Sequence, residues 1–172
     1  MWWLFLFIGG MALVVATKIA FVGWGLGIRS LNFTGFSGHA MRATAVAPVF
    51  IYMLLHDYRR TYRYAGILSG LGFGILISYS RLVVHAHSVS EAVTGCLLGA
   101  AIALIFIRIL EEFRLHINHW VIVISLSALM FSPAIPPAPT QRWITLTALY
   151  LSGHTAPYTR ANWKYADTLE AL

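Results

Sequence analysis

Residues 89–110 have the sequence VSEAVTGCLLGAAIALIFIRIL, whose only charged side chains are Glu91 near its beginning and Arg108 near its end. A helix needs about 20 predominantly apolar residues to cross the hydrocarbon core of a bilayer, and this stretch has that length. The whole chain of 172 residues has a similar character, with 59% hydrophobic and 10% charged residues. This composition excludes an ordinary soluble domain and indicates an integral membrane protein.

Comparable apolar segments recur along the chain. We predict six of them: Trp2–Thr17, His39–His56, Tyr64–Ser80, Val89–Leu110, Asn118–Phe131 and Gln141–Pro157. The last two are short, so each is also compatible with a tilted, interfacial or re-entrant segment. We therefore expect an all-α polytopic membrane helix bundle with about five to six transmembrane helices, formed by residues 1–172 as a single domain. Glycines spaced by four residues, such as Gly66, Gly70 and Gly74, predict close helix packing.

The basic residues predict the orientation of the bundle. Residues 56–63, HDYRRTYR, contain three arginines and are the strongest cytoplasmic signal in the chain. If the connections alternate from there, Glu91 is the only one of the six acidic residues on the outer side, and the tail with Arg160 and Lys164 is on the inner side. We expect an integral protein of a bacterial inner membrane, with its outer side facing the periplasm.

Two short stretches on the outer side carry the residues that point to chemistry. In Ser80–Glu91, an arginine, a histidine and a glutamate lie at the edge of an apolar segment, where such side chains are costly unless paired. Glu91 comes four residues after His87, a spacing that places two side chains on one face of a helix. Upstream, Ser37-Gly38-His39 precedes a long apolar run, so Ser37 is a predicted N-cap. The free N–H groups of a helix start are a natural binding site for phosphate.

Both stretches also have purely structural interpretations. Ser37 could be a simple helix cap, with His39 at the level of the lipid headgroups. Arg81 and Glu91 could form a salt bridge without catalytic purpose. The combination of the two stretches on one side of the membrane favours a site that handles phosphate.

Together these residues resemble signatures of the type 2 phosphatidic acid phosphatases, the integral membrane lipid phosphate phosphatases. Ser37-Gly38-His39 is similar to the second signature, with Phe36 where a proline is usual, and Ser80-Arg81-x5-His87 is similar to the third. Glu91 stands where the family normally has aspartate. Of the first signature, Lys-x6-Arg-Pro, Lys18 matches, but Gly25 and Leu26 replace Arg-Pro. Arg29 and Arg42 are both candidates for the missing guanidinium. The resemblance covers Lys18 to Gly99.

The resemblance implies a role for each matching residue. His87 would attack phosphorus and form a phosphohistidine, and Glu91 would accept a hydrogen bond from the other ring nitrogen. His39 would be the general acid that protonates the leaving group. His85 has the wrong spacing for the nucleophile and would be a bystander. Four residues would hold the phosphoryl oxygens: Lys18, Ser37, Gly38 and Arg81.

The expected substrate is a lipid phosphate, namely a polyprenyl diphosphate, phosphatidylglycerol phosphate or phosphatidate, and the other partners are membrane lipids. No metal or other cofactor is expected, because His85 and His87 face different ways and only one carboxylate is nearby. Nucleic acid is not an expected partner, since no basic stripe interleaved with aromatics occurs. A phosphotransferase on the same core and a non-catalytic lipid-binding or scaffolding protein remain alternatives, and the oligomeric state is open.

Overall fold

The computed structural model describes residues 2–113 and 140–162. Five α-helices are bounded within these residues: α1 Trp2–Trp24, α2 Gly38–Leu54, α3 Arg60–Val83, α4 Val89–Phe113 and α5 Thr140–Ser152. Residues 160–162 are helical as well. A short 3₁₀ helix, Arg29–Leu31, lies in the connection between α1 and α2. Within the described ranges there is no β-strand, only an isolated bridge between Ile28 and Phe33. The predicted all-α fold class is confirmed.

Among the described residues, three helices are long and apolar enough to cross a membrane: Trp2–Trp24, Arg60–Val83 and Val89–Glu112. Their large apolar side chains remain widely uncovered, with 65% of Phe5, 69% of Leu68 and 64% of Leu97 exposed. Apolar surface on this scale belongs in lipid rather than water. The protein is therefore a helical membrane bundle.

Helix α2 packs between α3 and α4 and forms the centre of the bundle. A Cβ at Gly70 would come within 2.5 Å of the Pro48 backbone, and one at Gly95 within 2.6 Å of the Ser37 carbonyl oxygen. Small residues at these positions let the helix backbones approach closely, as their four-residue spacing predicts. The packing fixes the start of α2 against the start of α4.

Helix α1 continues past the predicted end of the first segment. It extends beyond Thr17 to Trp24, so Lys18 lies inside the helix rather than at its end. Gly25 ends the helix with a positive φ of 68°, which glycine adopts without the strain of a side chain. Its N–H donates to the Phe21 carbonyl at 2.8 Å, a common form of helix C-cap.

Two further predictions concern the start of α3 and the fifth span. The sequence predicts a loop over residues 56–63. In the structure, helix α3 already begins at Arg60, so Arg60 and Arg63 belong to its first turn. The predicted fifth span, Asn118–Phe131, lies outside the described residues.

The predicted sixth segment, Gln141–Pro157, does not cross the bundle and instead follows the interfacial or re-entrant alternative. Helix α5 has only 13 residues, about 20 Å in length. Gln141 and Arg160 line the same cavity, and between them the Tyr158 N–H donates to the Val22 carbonyl at 2.9 Å. The chain therefore leaves one end of the bundle and returns to it. Arg160, which the alternation of connections predicts on the inner side, lies at the same end as Glu91.

This return of the chain predicts the result of a cysteine-labelling experiment. In a Cys96→Ser background, Thr155→Cys should react with a membrane-impermeant thiol reagent in intact cells, whereas Thr61→Cys should react only after permeabilisation. Thr155 follows α5 at the end that holds Glu91, and Thr61 lies in the first turn of α3. Identical behaviour of the two cysteines would instead support a sixth transmembrane span.

Candidate active site

Four helix ends meet at one end of the bundle: the last part of α1, the first turn of α2, the end of α3 and the start of α4. The Ser37 N–H donates to the Glu91 carbonyl oxygen at 3.1 Å, which joins the starts of α2 and α4. Glu91 lies between these elements, and only 1% of its surface is exposed. A carboxylate buried to this degree is costly unless hydrogen-bond donors surround it.

Glu91 is surrounded by donors on both oxygens. Its Oε1 accepts from the Thr34 backbone N–H at 2.9 Å and from the Thr34 hydroxyl. Its Oε2 accepts from the Ser88 N–H at 3.2 Å, lies 2.9 Å from His87 Nδ1 and receives a 2.6 Å contact from Arg160 Nη2. The Glu91 carboxylate is therefore held by three separate segments of the chain.

The local sequence Ser88-Val89-Ser90-Glu91 explains part of this arrangement. The Ser88 hydroxyl accepts from the Glu91 N–H at 3.4 Å, and the Glu91 carboxylate accepts from the Ser88 N–H. This reciprocal pair is a capping box, in which Ser-x-x-Glu satisfies two free N–H groups at a helix start. Glu91 thus belongs to the first turn of α4 and also reaches His87.

The predicted His87–Glu91 contact is present, although its geometry is not that of two residues on one helix. Helix α4 begins at Val89, so His87 lies in the preceding turn and approaches the carboxylate from outside the helix. When Nδ1 carries the proton and donates a hydrogen bond to Glu91, Nε2 of the neutral ring has a free lone pair. The histidine side chain is 14% exposed, so a small molecule can reach this ring.

The start of α2 matches its prediction closely. The helix begins at Gly38, and the fully buried Ser37 caps it by accepting from the Ala40 N–H at 3.4 Å. Its hydroxyl is therefore engaged in the helix cap. A contact between Ser37 or Gly38 and phosphate stays a prediction.

Positive charges gather around His39 in the first turn of α2. The positive charges of Arg42, Arg81 and Lys18 lie near the His39 ring. The Arg42 Nε–H donates to the Gly38 carbonyl oxygen at 3.2 Å, so this side chain folds back along the helix start. Of the two candidates for the missing guanidinium, Arg42 is thus within the charge cluster, while Arg29 lies in the 3₁₀ helix.

Arg81 has a buried nitrogen whose hydrogen-bonding capacity is unused. Among the described residues, its Nε has no hydrogen-bond partner. An unpaired buried donor is costly, and an anion bound beside it would remove that cost. This observation is the structural feature of Arg81 that most favours an anion contact.

A cavity of about 380 Å³ opens next to the His87–Glu91 pair. Lys18 and Arg160 supply its cationic groups, and Phe21 and Val22 give it an apolar wall. Four predicted site residues do not line it: Ser37, Gly38, His39 and Arg81. Ser37, Gly38 and His39 lie at the start of α2, and Arg81 lies in the last turn of α3. Their catalytic and binding roles stay predictions.

Thr34 and Arg160 were missed by sequence reasoning. Thr34 contributes a backbone N–H and a hydroxyl, and only its nearness to Ser37 in the chain could have pointed to it. For Arg160, the shortness of the last apolar segment was the available signal, because a segment that does not cross the membrane leaves the tail on the same side. For metals, residues 2–113 and 140–162 contain no group of three or more His, Cys, Asp or Glu side chains that could hold an ion.

The fold and the site define a class: an all-α membrane protein with an imidazole–carboxylate pair beside a cationic cavity. Residues 23–115 match the PAP2 superfamily, and the chain belongs to this superfamily. The resemblance to type 2 phosphatidic acid phosphatases is confirmed. Membership indicates phosphatase activity on phosphate esters.

A bacterial protein is similar to this chain over most of its length. The protein described as "Uncharacterized 22.5 kDa protein in cps region" of Klebsiella pneumoniae is 38% identical over 157 residues, which is 88% of this chain and 75% of the relative. No solved structure matches the chain.

Proposed function

We propose that this protein is an integral membrane lipid phosphate phosphatase that works through a phosphohistidine intermediate. The observation that carries the proposal is the 2.9 Å contact between His87 Nδ1 and the buried Glu91 carboxylate at the edge of a cationic cavity. A carboxylate that accepts from one ring nitrogen fixes the tautomer and stabilises positive charge on the ring.

In the first step, the lone pair of His87 Nε2 attacks phosphorus, and the bond from phosphorus to the leaving oxygen breaks. Once the anionic substrate is bound, its negative charge offsets the cations around His39, and the protonated His39 gives its proton to that oxygen. The lipid alcohol or lipid phosphate therefore leaves in its protonated form. In the second step, water attacks the phosphohistidine while His39 takes up the proton. Cleavage of the P–N bond releases inorganic phosphate and restores the free imidazole.

The phosphoryl oxygens need cations and N–H donors around them as charge develops. Lys18 lines the cavity and would supply a cation, and Arg81 Nε is a buried donor without a partner among the described residues. The N–H groups of the α2 start, at Gly38, add the positive end of a helix dipole. In the proposed mechanism these groups stabilise the transition state without a metal ion.

A lipid substrate suits the position of the cavity. It lies at the end of the membrane helices, where a headgroup would lie, and Phe21 and Val22 continue its wall with apolar surface. The phosphate would enter the cavity while the acyl or prenyl chain stays in the bilayer. We propose a polyprenyl diphosphate, phosphatidylglycerol phosphate or phosphatidate as substrate. The Klebsiella relative and the arginines at 59, 60 and 63 support a bacterial inner membrane with the site facing the periplasm.

The test is a screen of the purified protein in detergent against these lipid phosphates, with and without EDTA. We expect phosphate release from at least one of them at a rate that EDTA leaves unchanged. Strict dependence on a divalent ion would contradict the phosphohistidine route. Transfer of the phosphoryl group to an added alcohol without phosphate release would identify a phosphotransferase, and binding without turnover would identify a lipid-binding protein.

A further inference from the structure

The C-terminal segment brings an arginine into the cavity that the first signature does not supply. Arg160 Nη2 lies 2.6 Å from Glu91 Oε2, and the arginine lines the cavity together with Lys18 and His87. We infer that Arg160 is a phosphate-binding residue and replaces the arginine that is absent after Lys18. The inference rests on the proposed function and assigns one more cation to its phosphoryl site.

Glu91 has four hydrogen-bond donors besides Arg160. A carboxylate accepts about four hydrogen bonds. The Thr34 N–H, the Thr34 hydroxyl, His87 Nδ1 and the Ser88 N–H already provide that number. Arg160 is a fifth donor, beyond the number that the lone pairs of the carboxylate accommodate.

Most N–H groups of the Arg160 guanidinium are not used in hydrogen bonds to the described residues. Among the described residues its only hydrogen bond comes from Nη2, whereas a guanidinium has five N–H groups arranged as a planar fork. The side chain is 35% exposed and faces the cavity, so the remaining N–H groups can reach a ligand. This fork geometry suits two phosphate oxygens at once.

The segment that carries Arg160 is anchored rather than loosely attached. The Tyr158 N–H donates to the Val22 carbonyl at 2.9 Å, and His154 Nδ1 lies 2.8 Å from the Gly23 carbonyl oxygen. In α5, the fully buried Ala148 packs on Phe21 and Val22. These contacts hold Arg160 at a defined position beside His87, as recognition of a phosphoryl group requires.

Charge supports the same conclusion. In the cavity wall, Lys18 and Arg160 carry two positive charges against the single negative charge of Glu91. The excess positive charge attracts an anion, and it disappears when Arg160 is replaced by a neutral residue.

The experiment uses the purified full-length protein in detergent, with the variants Arg160→Gln and Arg160→Lys. Arg142→Gln is the matched control, because Arg142 is an exposed arginine of α5 that does not line the cavity. For Arg160→Gln we expect KM and the inhibition constant of vanadate to rise roughly ten- to a hundredfold, as for loss of hydrogen bonds to a charged group. For Arg160→Lys both constants should rise less, and for Arg142→Gln they should match those of the wild type.

A second comparison separates phosphate binding from an indirect effect through Glu91. In a Glu91→Gln background, where the contact between the two side chains is already changed, Arg160→Gln should still weaken vanadate inhibition. A fall in kcat alone, or no further effect in that background, would show that Arg160 acts only by positioning Glu91 and would overturn the inference. Thermal melting of Arg160→Lys checks that any loss is not a loss of folding.

Calorimetric titration with inorganic phosphate keeps the inference testable if no lipid phosphate is hydrolysed. Phosphate binding that Arg160→Gln weakens would support the anion site while the proposed phosphatase activity fails. Equal phosphate affinity of the wild type and Arg160→Gln, or no binding to either, would overturn the inference.

Discussion

Replacing His87 by alanine should abolish phosphate release, with a fall in rate of at least roughly a thousandfold. The imidazole is the only group that the proposed mechanism uses to accept the phosphoryl group. Its contact with Glu91 is also what gives the ring a fixed tautomer. The measurement is initial-rate phosphate release by purified protein in detergent, on the lipid phosphate that the wild type hydrolyses best.

His85 offers a matched control for this substitution. It lies in the same turn, is exposed and has a positive φ of 53°, a conformation that asparagine tolerates. His85→Asn should therefore keep a rate within about twofold of the wild type, since the proposed mechanism assigns it no role. An acid-labile phosphoprotein trapped from the wild type but not from His87→Ala would support the intermediate. Full activity in the His87→Ala protein would end the assignment of the nucleophile.

Much of the fold was predictable because its determinants are local. Apolar length identifies a membrane helix from composition alone, and Gly70 and Gly95 mark the faces where α3 and α4 approach α2. The Ser37 cap depends on a single side chain and the next few N–H groups. The His87–Glu91 contact was predicted from a spacing of four, although a helix start rather than a continuous helix brings the two side chains together.

The position of Arg160 was not predictable in the same way. The return of the chain after α5 depends on hydrogen bonds from Tyr158 and His154 to backbone carbonyls of α1, far away in the sequence. No local pattern encodes such contacts. The prediction alternated the connections as if every apolar segment crossed the membrane, and this placed Arg160 on the side opposite Glu91. The extension of α1 past Lys18 has a simpler reason: the apolar residues 19–22 continue the helix, and the lysine stem can lie along apolar surface.

Glu91→Gln should lower kcat by a factor on the order of ten to a thousand while the protein stays folded in detergent. Glutamine keeps the length and shape of the side chain, so Oε1 can still accept from Thr34. At the other position an amide replaces an ion that faces three donors: His87, Ser88 and Arg160. Loss of the charge removes the group that stabilises the imidazolium formed during attack on phosphorus.

Glu91→Asp separates the effect of the negative charge from the effect of side-chain length at the same position. Aspartate restores the ion but is one methylene shorter, so it cannot hold the capping box with Ser88 and reach His87 as glutamate does. We expect a lower melting temperature than for the wild type, together with a kcat between those of the wild type and Glu91→Gln. Ser88→Ala is the matched control, because it removes one hydrogen bond of the box and leaves the carboxylate in place. It should lower the melting temperature with little change in kcat. If Glu91→Asp matched the wild type in both quantities, the longer side chain would have no role in linking the start of α4 to His87.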